Sequence, residues 1–448
     1  MSGRASGRGT TTAASSRNWG SCETWSPSAT VRPEGLDELA SVVAQTAARG
    51  GRVKPIGAGH SFSPIAATDD VQLDLGALSG LTRVDRDAGR VRARAGTHLY
   101  ALGPLLGAHG LALANMGDID RQTVGGAIST STHGTGLRYT GYAGMVTGLE
   151  LLTADGTLHW VDAAHEPELF EAARVSLGAL GVITEAEFTV CEAFLLRAED
   201  QAEPIEETVA RFAERSRAAD HHEFYWFPGT GLGLTKTNTR IPLGAGLDPL
   251  PPLRTRLMDR VLANGVYELM CRLGAAAPRT VAALNRLSCR GVDRRTYTDV
   301  SYNVFVADRS VRFKEMEYAL PLEAFEQAFE GLREISAAMF RDGRGVSFPV
   351  EVRTAAADDV WLSTAHGRES VYIAVHRYHR EDPTEYFREV EDLFVSLGGR
   401  PHWGKMHTRD AAWAAQAYPH HADWCRVRDA VDPRRVFTNR YVERLFGA

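Results

Sequence analysis

The 448-residue sequence has few cysteines, no long apolar run and no basic cluster. Its five cysteines, Cys22, Cys191, Cys271, Cys289 and Cys425, form no Cys-x-x-Cys pair, and their number is odd. That argues against a zinc site or a disulfide framework and suits a reducing cytoplasm. No stretch approaches the roughly 20 apolar residues of a membrane-spanning helix, which leaves room only for peripheral membrane contact. The arginines are scattered and the formal net charge is −6, so nothing points to nucleic acid. A Walker A loop is missing. The adjacent pairs His221-His222 and His420-His421 lack a partner set and read as surface or loop residues, so no metal is expected.

What is present is the balance of a soluble globular protein, 44% hydrophobic and 24% charged. The length calls for two domains, or one interrupted by another. Met1–Arg17 is rich in Gly, Ser, Thr, Ala and Arg and lacks a signal peptide's apolar core, so residues 1–17 read as a disordered lead-in.

Periodicity places an amphipathic helix over Pro33–Arg49, stopped by Gly50-Gly51. Strands follow at Arg52–Ile56, Val71–Leu75 and Arg90–Ala95, with a helix over Thr97–His109. Val146–Thr153 and Thr157–Val161 form a hairpin around Ala154-Asp155-Gly156, and Val182–Val190 is another strand. Periodicity fades over Glu192–Glu203, which sets a domain boundary there. Beyond it lie helices at Ile205–Ala219, Leu322–Phe340 and Thr384–Leu397. Strands fall at Glu223–Phe227, Gly233–Thr239, Val300–Phe305, Phe313–Tyr318, Val346–Arg353 and Val371–Arg377. Ile241–Leu253 reads as a loop and Arg254–Leu287 as mostly helical. The class is α+β with an antiparallel sheet.

Three glycine-rich segments stand out: Pro55-Ile-Gly-Ala-Gly-His-Ser-Phe-Ser-Pro64, Gly117 to Gly136, and Gly178-Ala-Leu-Gly-Val-Ile-Thr184. Glycine lets backbone approach a ligand closely, and successive N–H groups form a concave anion site suited to a pyrophosphate. Between Thr123 and Thr135 the second segment adds six hydroxyl residues. Any one segment alone reads best as an ordinary turn. A Rossmann reading of the first fails, because position 62 is Phe and no helix follows at once.

Together, Gly-x-Gly-His-Ser, Ser-Thr-x-Thr-His-Gly-Thr-Gly and Ser176-Leu-Gly-Ala-Leu-Gly-Val-Ile183 resemble the FAD domain of the vanillyl-alcohol-oxidase (VAO, or PCMH-type) superfamily. Pro349-Val-Glu-Val-Arg353, Tyr372-Ile-Ala-Val-His-Arg-Tyr378, Arg400-Pro-His-Trp-Gly-Lys405 and Asp432-Pro-Arg-Arg-Val-Phe437 narrow the likeness. They resemble the sugar-1,4-lactone branch, with its bacterial L-gulono-1,4-lactone dehydrogenases and D-arabinono-1,4-lactone oxidases and with alditol oxidases nearby. The likeness runs from about Asn18 to the C-terminus. It implies an FAD-binding domain over residues 18–192, a cap over the isoalloxazine ring at 193–410, and a segment 411–448 that returns to the FAD domain.

The resemblance also implies roles. FAD would lie against Pro55, Ile56, Gly57, Ala58, Gly59, His60 and Ser61. The second segment would contribute Gly117, Asp118, Thr123, Gly125, Gly126, Ser129, Thr132, His133, Gly134, Thr135 and Gly136. Gly181, Val182 and Ile183 would complete the cofactor set with Lys405. His60 matches a histidine commonly bonded to the flavin 8α-methyl carbon; the plain alternative is a histidine that only hydrogen-bonds a loop carbonyl. Arg353 would hold the hydroxyl oxygen of the carbon that loses its hydride, with Glu351 orienting it and binding sugar hydroxyls. The two lie two residues apart on a strand and so share a face. His376 would act as proton acceptor or polar anchor, and Lys405 would face the flavin N1 and C2 carbonyl. Gly117 beside Asp118 leans toward admitting oxygen. The implied reaction is hydride transfer from C2 of an aldono-1,4-lactone to flavin N5, giving a 2-keto product that enolises, with electrons passing on to oxygen or a one-electron acceptor. Two other readings stay open: oxidation of an alditol or a sugar-like secondary metabolite, and flavin binding without turnover.

Overall fold

The computed structural model describes residues 10–12, 15–251, 264–290, 294–307 and 311–447. Val53–Ile56, Val71–Asp74 and Ala29–Val31 form a parallel set, to which Thr10–Thr12 adds an antiparallel edge. Part of the expected lead-in is therefore a strand; residues 1–9 and 13–14 lie outside the described residues. Beside this sheet, Leu158–Asp162, Val146–Leu152, Val182–Thr189, Arg90–Arg94 and Leu81–Asp85 line up antiparallel in that order. The helix Leu36–Ala48 buries Leu39, Val43 and Ala47 and stops before Gly50-Gly51, matching the expected amphipathic pattern.

The third layer is an eight-stranded antiparallel sheet. Its order is Arg295–Val300, Phe194–Pro204, Leu232–Pro242, His221–Trp226, Val350–Ala355, Ser370–Tyr378, Phe313–Pro321, Arg400–Pro401. Strict alternation gives it two unlike faces. On one, Phe224, Trp226, Val350, Val352, Ile373, Val375, Met316 and Leu320 pack against Phe212, Phe329, Leu332 and Phe394 of three covering helices. The other face carries Glu223, Glu351, Arg353, His376, Glu315 and Glu317, all buried.

Three expectations are corrected. The faded periodicity over Glu192–Glu203 does not mark irregular chain: Phe194–Pro204 is an 11-residue strand paired on both sides, and its polar residues find partners, such as Asp200 with Arg295 at 3.0 Å. The strand expected at Val300–Phe305 is instead Arg295–Val300 followed by the helix Ser301–Phe305; buried Ser301, Val304 and Phe305 keep helical spacing. His221 and His222 are not surface residues. They are buried in a strand, where burial pushes both imidazoles down to about 4. In the expected helical region, Asn264–Ala276 and Val281–Arg290 are helices, and 254–263 lies outside the described residues.

Candidate active site

The loop after Val53–Ile56 turns at Gly59, whose φ of +68° few other residues adopt. Around it, the N–H groups of Ala58, Gly59, His60 and Ser61 meet no acceptor among the described residues. With Pro55, Ile56 and Gly57 these residues line one wall of a cavity. Thr123, Gly125, Gly126 and Ser129 form a second wall, where Thr123 Oγ1 caps the helix Val124–Ser129 by accepting from Gly126 N at 3.3 Å. Gly181 and Ile183 complete it, while Val182 points into the core. Orphaned donors in a concave, glycine-lined wall fit a dinucleotide pyrophosphate.

The His60 imidazole lies at the cavity wall, stacked on Trp19 at 5.7 Å between centroids. Burial first, then the Lys405, Arg121 and His98 charges, pull it down to about 4, so it is neutral at physiological pH. Lys405 reaches this loop because the turn before it packs there: Phe62 N donates to the Gly404 carbonyl at 2.6 Å, and Ser63 Oγ to the Trp403 carbonyl at 2.8 Å.

Gly117, Asp118, Thr132, His133, Gly134, Thr135 and Gly136 of the second segment do not line this cavity. Thr132 is buried, its Oγ1 3.1 Å from Thr130 Oγ1. Gly134 is packed so tightly that a Cβ would lie 2.2 Å from the Met116 carbonyl. Thr135 Oγ1 donates to the His222 carbonyl at 2.8 Å, and Gly136 N to the Thr354 carbonyl at 2.8 Å. Gly134, Thr135 and Gly136 thus form a seam joining this loop to the eight-stranded sheet. His133 stacks on Tyr372 at 3.5 Å and turns Nε2 toward Glu317 at 3.3 Å.

At that seam the polar face of the sheet meets the Gly117-Asp118 loop. Arg353 is the centre. Its Nη1 is 3.4 Å from Asp118 Oδ1, its Nη2 3.3 Å from Glu317 Oε1, and its Nε 3.3 Å from Glu351 Oε1. Burial opposes the charge, but these carboxylates hold the guanidinium protonated far above its ordinary value. Glu351 Oε1 also accepts from the Tyr225 hydroxyl at 2.9 Å. His376 Nδ1 faces the Pro349 carbonyl at 2.8 Å, which fixes its N–H there. Its Nε2 is then the lone-pair nitrogen; it is buried, has no hydrogen-bond partner among the described residues and lies 3.6 Å from Glu315 Oε1. Lys405 Nζ is 2.5 Å from Glu315 Oε2. Asp118, Glu351, Arg353, His376 and Lys405 therefore gather in one centre.

Sequence reasoning missed Glu315, Glu317, Glu223, Tyr225 and His402. The signal was available for two of them: in Lys-Glu-Met-Glu-Tyr, carboxylates alternate with apolar residues on a strand. Burial raises Glu223 to about 7. His133, Glu317 and His402 bring donor atoms within 4.8 Å of one another, the residue types of a metal site. The Glu317 oxygen is already shared between Arg353 and His133, so the trio reads as charge pairing.

Residues 186–445 match the family model described as D-arabinono-1,4-lactone oxidase. The chain belongs to the D-arabinono-1,4-lactone oxidase family. Residues 27–162 match the FAD binding domain model. L-gulono-1,4-lactone dehydrogenase of Mycobacterium tuberculosis is 41% identical over 96% of this chain and 98% of its own length. L-gulonolactone oxidase of Bos taurus is 29% identical, covering 96% of this chain and 98% of its own. An alditol oxidase of Streptomyces sp. is 30% identical over the same shares. The fold is that of cholesterol oxidase from B. sterolicum, with a TM-score of 0.82 at 17% identity over 97% of each chain. This member of the family is an FAD-dependent oxidoreductase of the VAO type. Among the described residues no helix is long and apolar enough to cross a membrane.

Proposed function

We propose that the chain oxidises C2 of an aldono-1,4-lactone to the 2-keto product, with FAD bonded through His60. The observation that carries this reading is Arg353, buried among Asp118, Glu317 and Glu351 with the lone pair of His376 and the ammonium of Lys405 in the same centre. A lactone is a neutral polyol, and a cation ringed by carboxylates offers both donors and acceptors to its hydroxyls. The family's named lactone oxidases and dehydrogenases support that substrate class.

The bound flavin supplies the hydride acceptor. Arg353 holds the reacting hydroxyl oxygen and draws charge onto it. His376 Nε2 takes the hydroxyl proton, its tautomer fixed by the Pro349 carbonyl. Glu351 orients Arg353 and binds a neighbouring sugar hydroxyl. Lys405 sets a fixed positive charge beside the loop that carries His60, a preorganised group of the kind typically worth roughly 3–4 kcal/mol. The neutral state of His60 suits it as a nucleophile toward the flavin methyl carbon. Residues 18–192 hold FAD, 193–410 cap it, and 411–448 return to the FAD domain. Electrons leave to oxygen or a one-electron acceptor, and Gly117 favours oxygen.

The test is an anaerobic panel of gulono-1,4-lactone, galactono-1,4-lactone and xylitol, followed by flavin bleaching. The lactones should bleach the flavin fastest. Faster bleaching by xylitol would move the assignment to an alditol, and no bleaching by any of them would leave a flavin-binding protein without turnover.

A further inference from the structure

Glu315 lies beside both the fixed cation and the proton acceptor of the reaction above. Its Oε2 is 2.5 Å from Lys405 Nζ and its Oε1 is 3.6 Å from His376 Nε2. The register puts it directly opposite His376 on neighbouring strands. Its main chain also holds the lysine turn: Met406 N donates to the Glu315 carbonyl at 2.9 Å, and His402 N to the Glu317 carbonyl at 3.0 Å. Lys405 is thus fixed by backbone bonds that do not depend on the Glu315 side chain. Phe313 and Phe348 also pack against the His376 ring, 4.9 and 6.3 Å between centroids. Among the described residues, the charged or titratable groups facing Glu315 are Lys405, His376, Glu317 and His402; Glu317 is committed to His133 and Arg353, and burial pushes His402 down to about 3, so it stays neutral.

We propose that Glu315 is a positioning residue that couples the two transfers, serving as counter-charge to Lys405 before the reaction and to protonated His376 after it. This rests on the reading of His376 and Lys405 given above. In the oxidation the C–H and O–H bonds of the carbinol break and a C=O bond forms. The hydride, with its electron pair, goes to FAD, and the proton forms an N–H bond at His376 Nε2. One negative charge appears on the cofactor and one positive charge on the histidine. At rest, the buried set is ammonium, carboxylate and neutral imidazole. With FAD bound, Lys405 would be the cation available to the charge the cofactor takes up, and the carboxylate would face the imidazolium. Neither new charge is left unpaired in a medium where that would be costly. Burial opposes ionisation of Glu315, but the Lys405 ammonium 2.5 Å away overcomes it and holds the carboxyl below its ordinary value, so the counter-charge is present before the reaction.

The test uses the holoenzyme with two readouts: the flavin midpoint potential by dye equilibration, and the pH dependence of anaerobic reduction by gulono-1,4-lactone. In Glu315→Gln the uncompensated Lys405 should shift the midpoint potential to more positive values. The same variant should move the acidic limb of the reduction profile down by at least one pH unit, because a protonated His376 loses its partner. Reduction at neutral pH should slow at least tenfold, and Glu315→Asp should restore most of it. Lys405→Met should move the limb the opposite way, upward, since Glu315 then serves His376 alone; this arm stands even where Glu315→Gln does not fold. An unmoved limb in both variants, or a slower rate at an unchanged potential, would overturn the proposal. If no lactone or alditol reduces the wild-type flavin, the substrate reading fails, and the midpoint potential of Glu315→Gln still decides the role of Glu315 toward Lys405.

Discussion

Arg353 faces carboxylates from three separate stretches of chain, at positions 118, 317 and 351. A lysine cannot reproduce that three-way fork. Arg353→Lys should keep FAD yet lose at least 100-fold in lactone-dependent reduction, read by stopped flow; a loss under tenfold would remove Arg353 from the chemistry. His60 makes a second prediction. Its folded value near 4 lies below the ordinary imidazole value, so the ring is neutral at every pH well above 4. FAD attachment to apoprotein should therefore keep its rate from pH 8 down to about 5.5, where an exposed histidine, titrating near 6.5, would be mostly protonated. Acid-precipitated wild-type protein should stay yellow and His60→Ala should give a colourless precipitate; a colourless wild-type precipitate would mean no bond, and a yellow variant would place it elsewhere. At Gly117 an added Cβ would lie 3.1 Å from the His133 carbonyl. Gly117→Ala should slow reoxidation by oxygen while sparing reduction, and equal oxygen rates would end the idea of a gate there.

Among elements, what the sequence makes legible depends on how local the cause is. Leu36–Ala48 is readable because its apolar spacing and glycine stop lie within one window. The strand over Phe194–Pro204 is not, because its charged residues are satisfied by partners almost 100 positions away, as Asp200 is by Arg295. The same holds for His221, whose Nδ1 meets the Thr135 carbonyl at 2.8 Å across the seam. At the site, Glu351, Arg353, His376 and Lys405 were legible through motifs. Glu223 and Tyr225 were not, since only the pairing of Tyr225 with Glu351 reveals them. The seam residues 134–136 carry the same composition as the cavity wall, so composition alone could not separate the two jobs. One element can be tested by its cap. Thr123→Ala removes the bond to Gly126 N and should cost about 1 kcal/mol. Thermal unfolding should show it as a fall of about 1 °C, with faster FAD exchange in a His60→Ala background; unchanged exchange would divorce this helix from the cofactor.

At the scale of the whole molecule, the larger core is built from both ends of the chain. Trp424, Val436, Phe437, Tyr441 and Phe446 pack in the same cluster as Val53, Leu73 and Leu180. Lys54 pins the junction, its Nζ donating to the carbonyls of Leu177, Gly178 and Phe437 at 3.2, 2.9 and 3.0 Å. Burial lowers this ammonium to about 7, so the three carbonyls stand in for the water it lost. Deleting residues 411–448 should therefore abolish FAD binding as well as cooperative unfolding, read by flavin fluorescence and calorimetry; a truncated chain that still binds FAD would show the tail to be an accessory. The two-faced sheet has a consequence of its own for quality control. A strand slipped by one residue would drive Glu315, Glu317 and Arg353 in among the phenylalanines and turn Met316 and Val352 toward the cofactor. Such a chain would not persist as a sluggish oxidase releasing stray products. It would fail to fold, so the arrangement that sets up the chemistry also removes the copies that would do it badly.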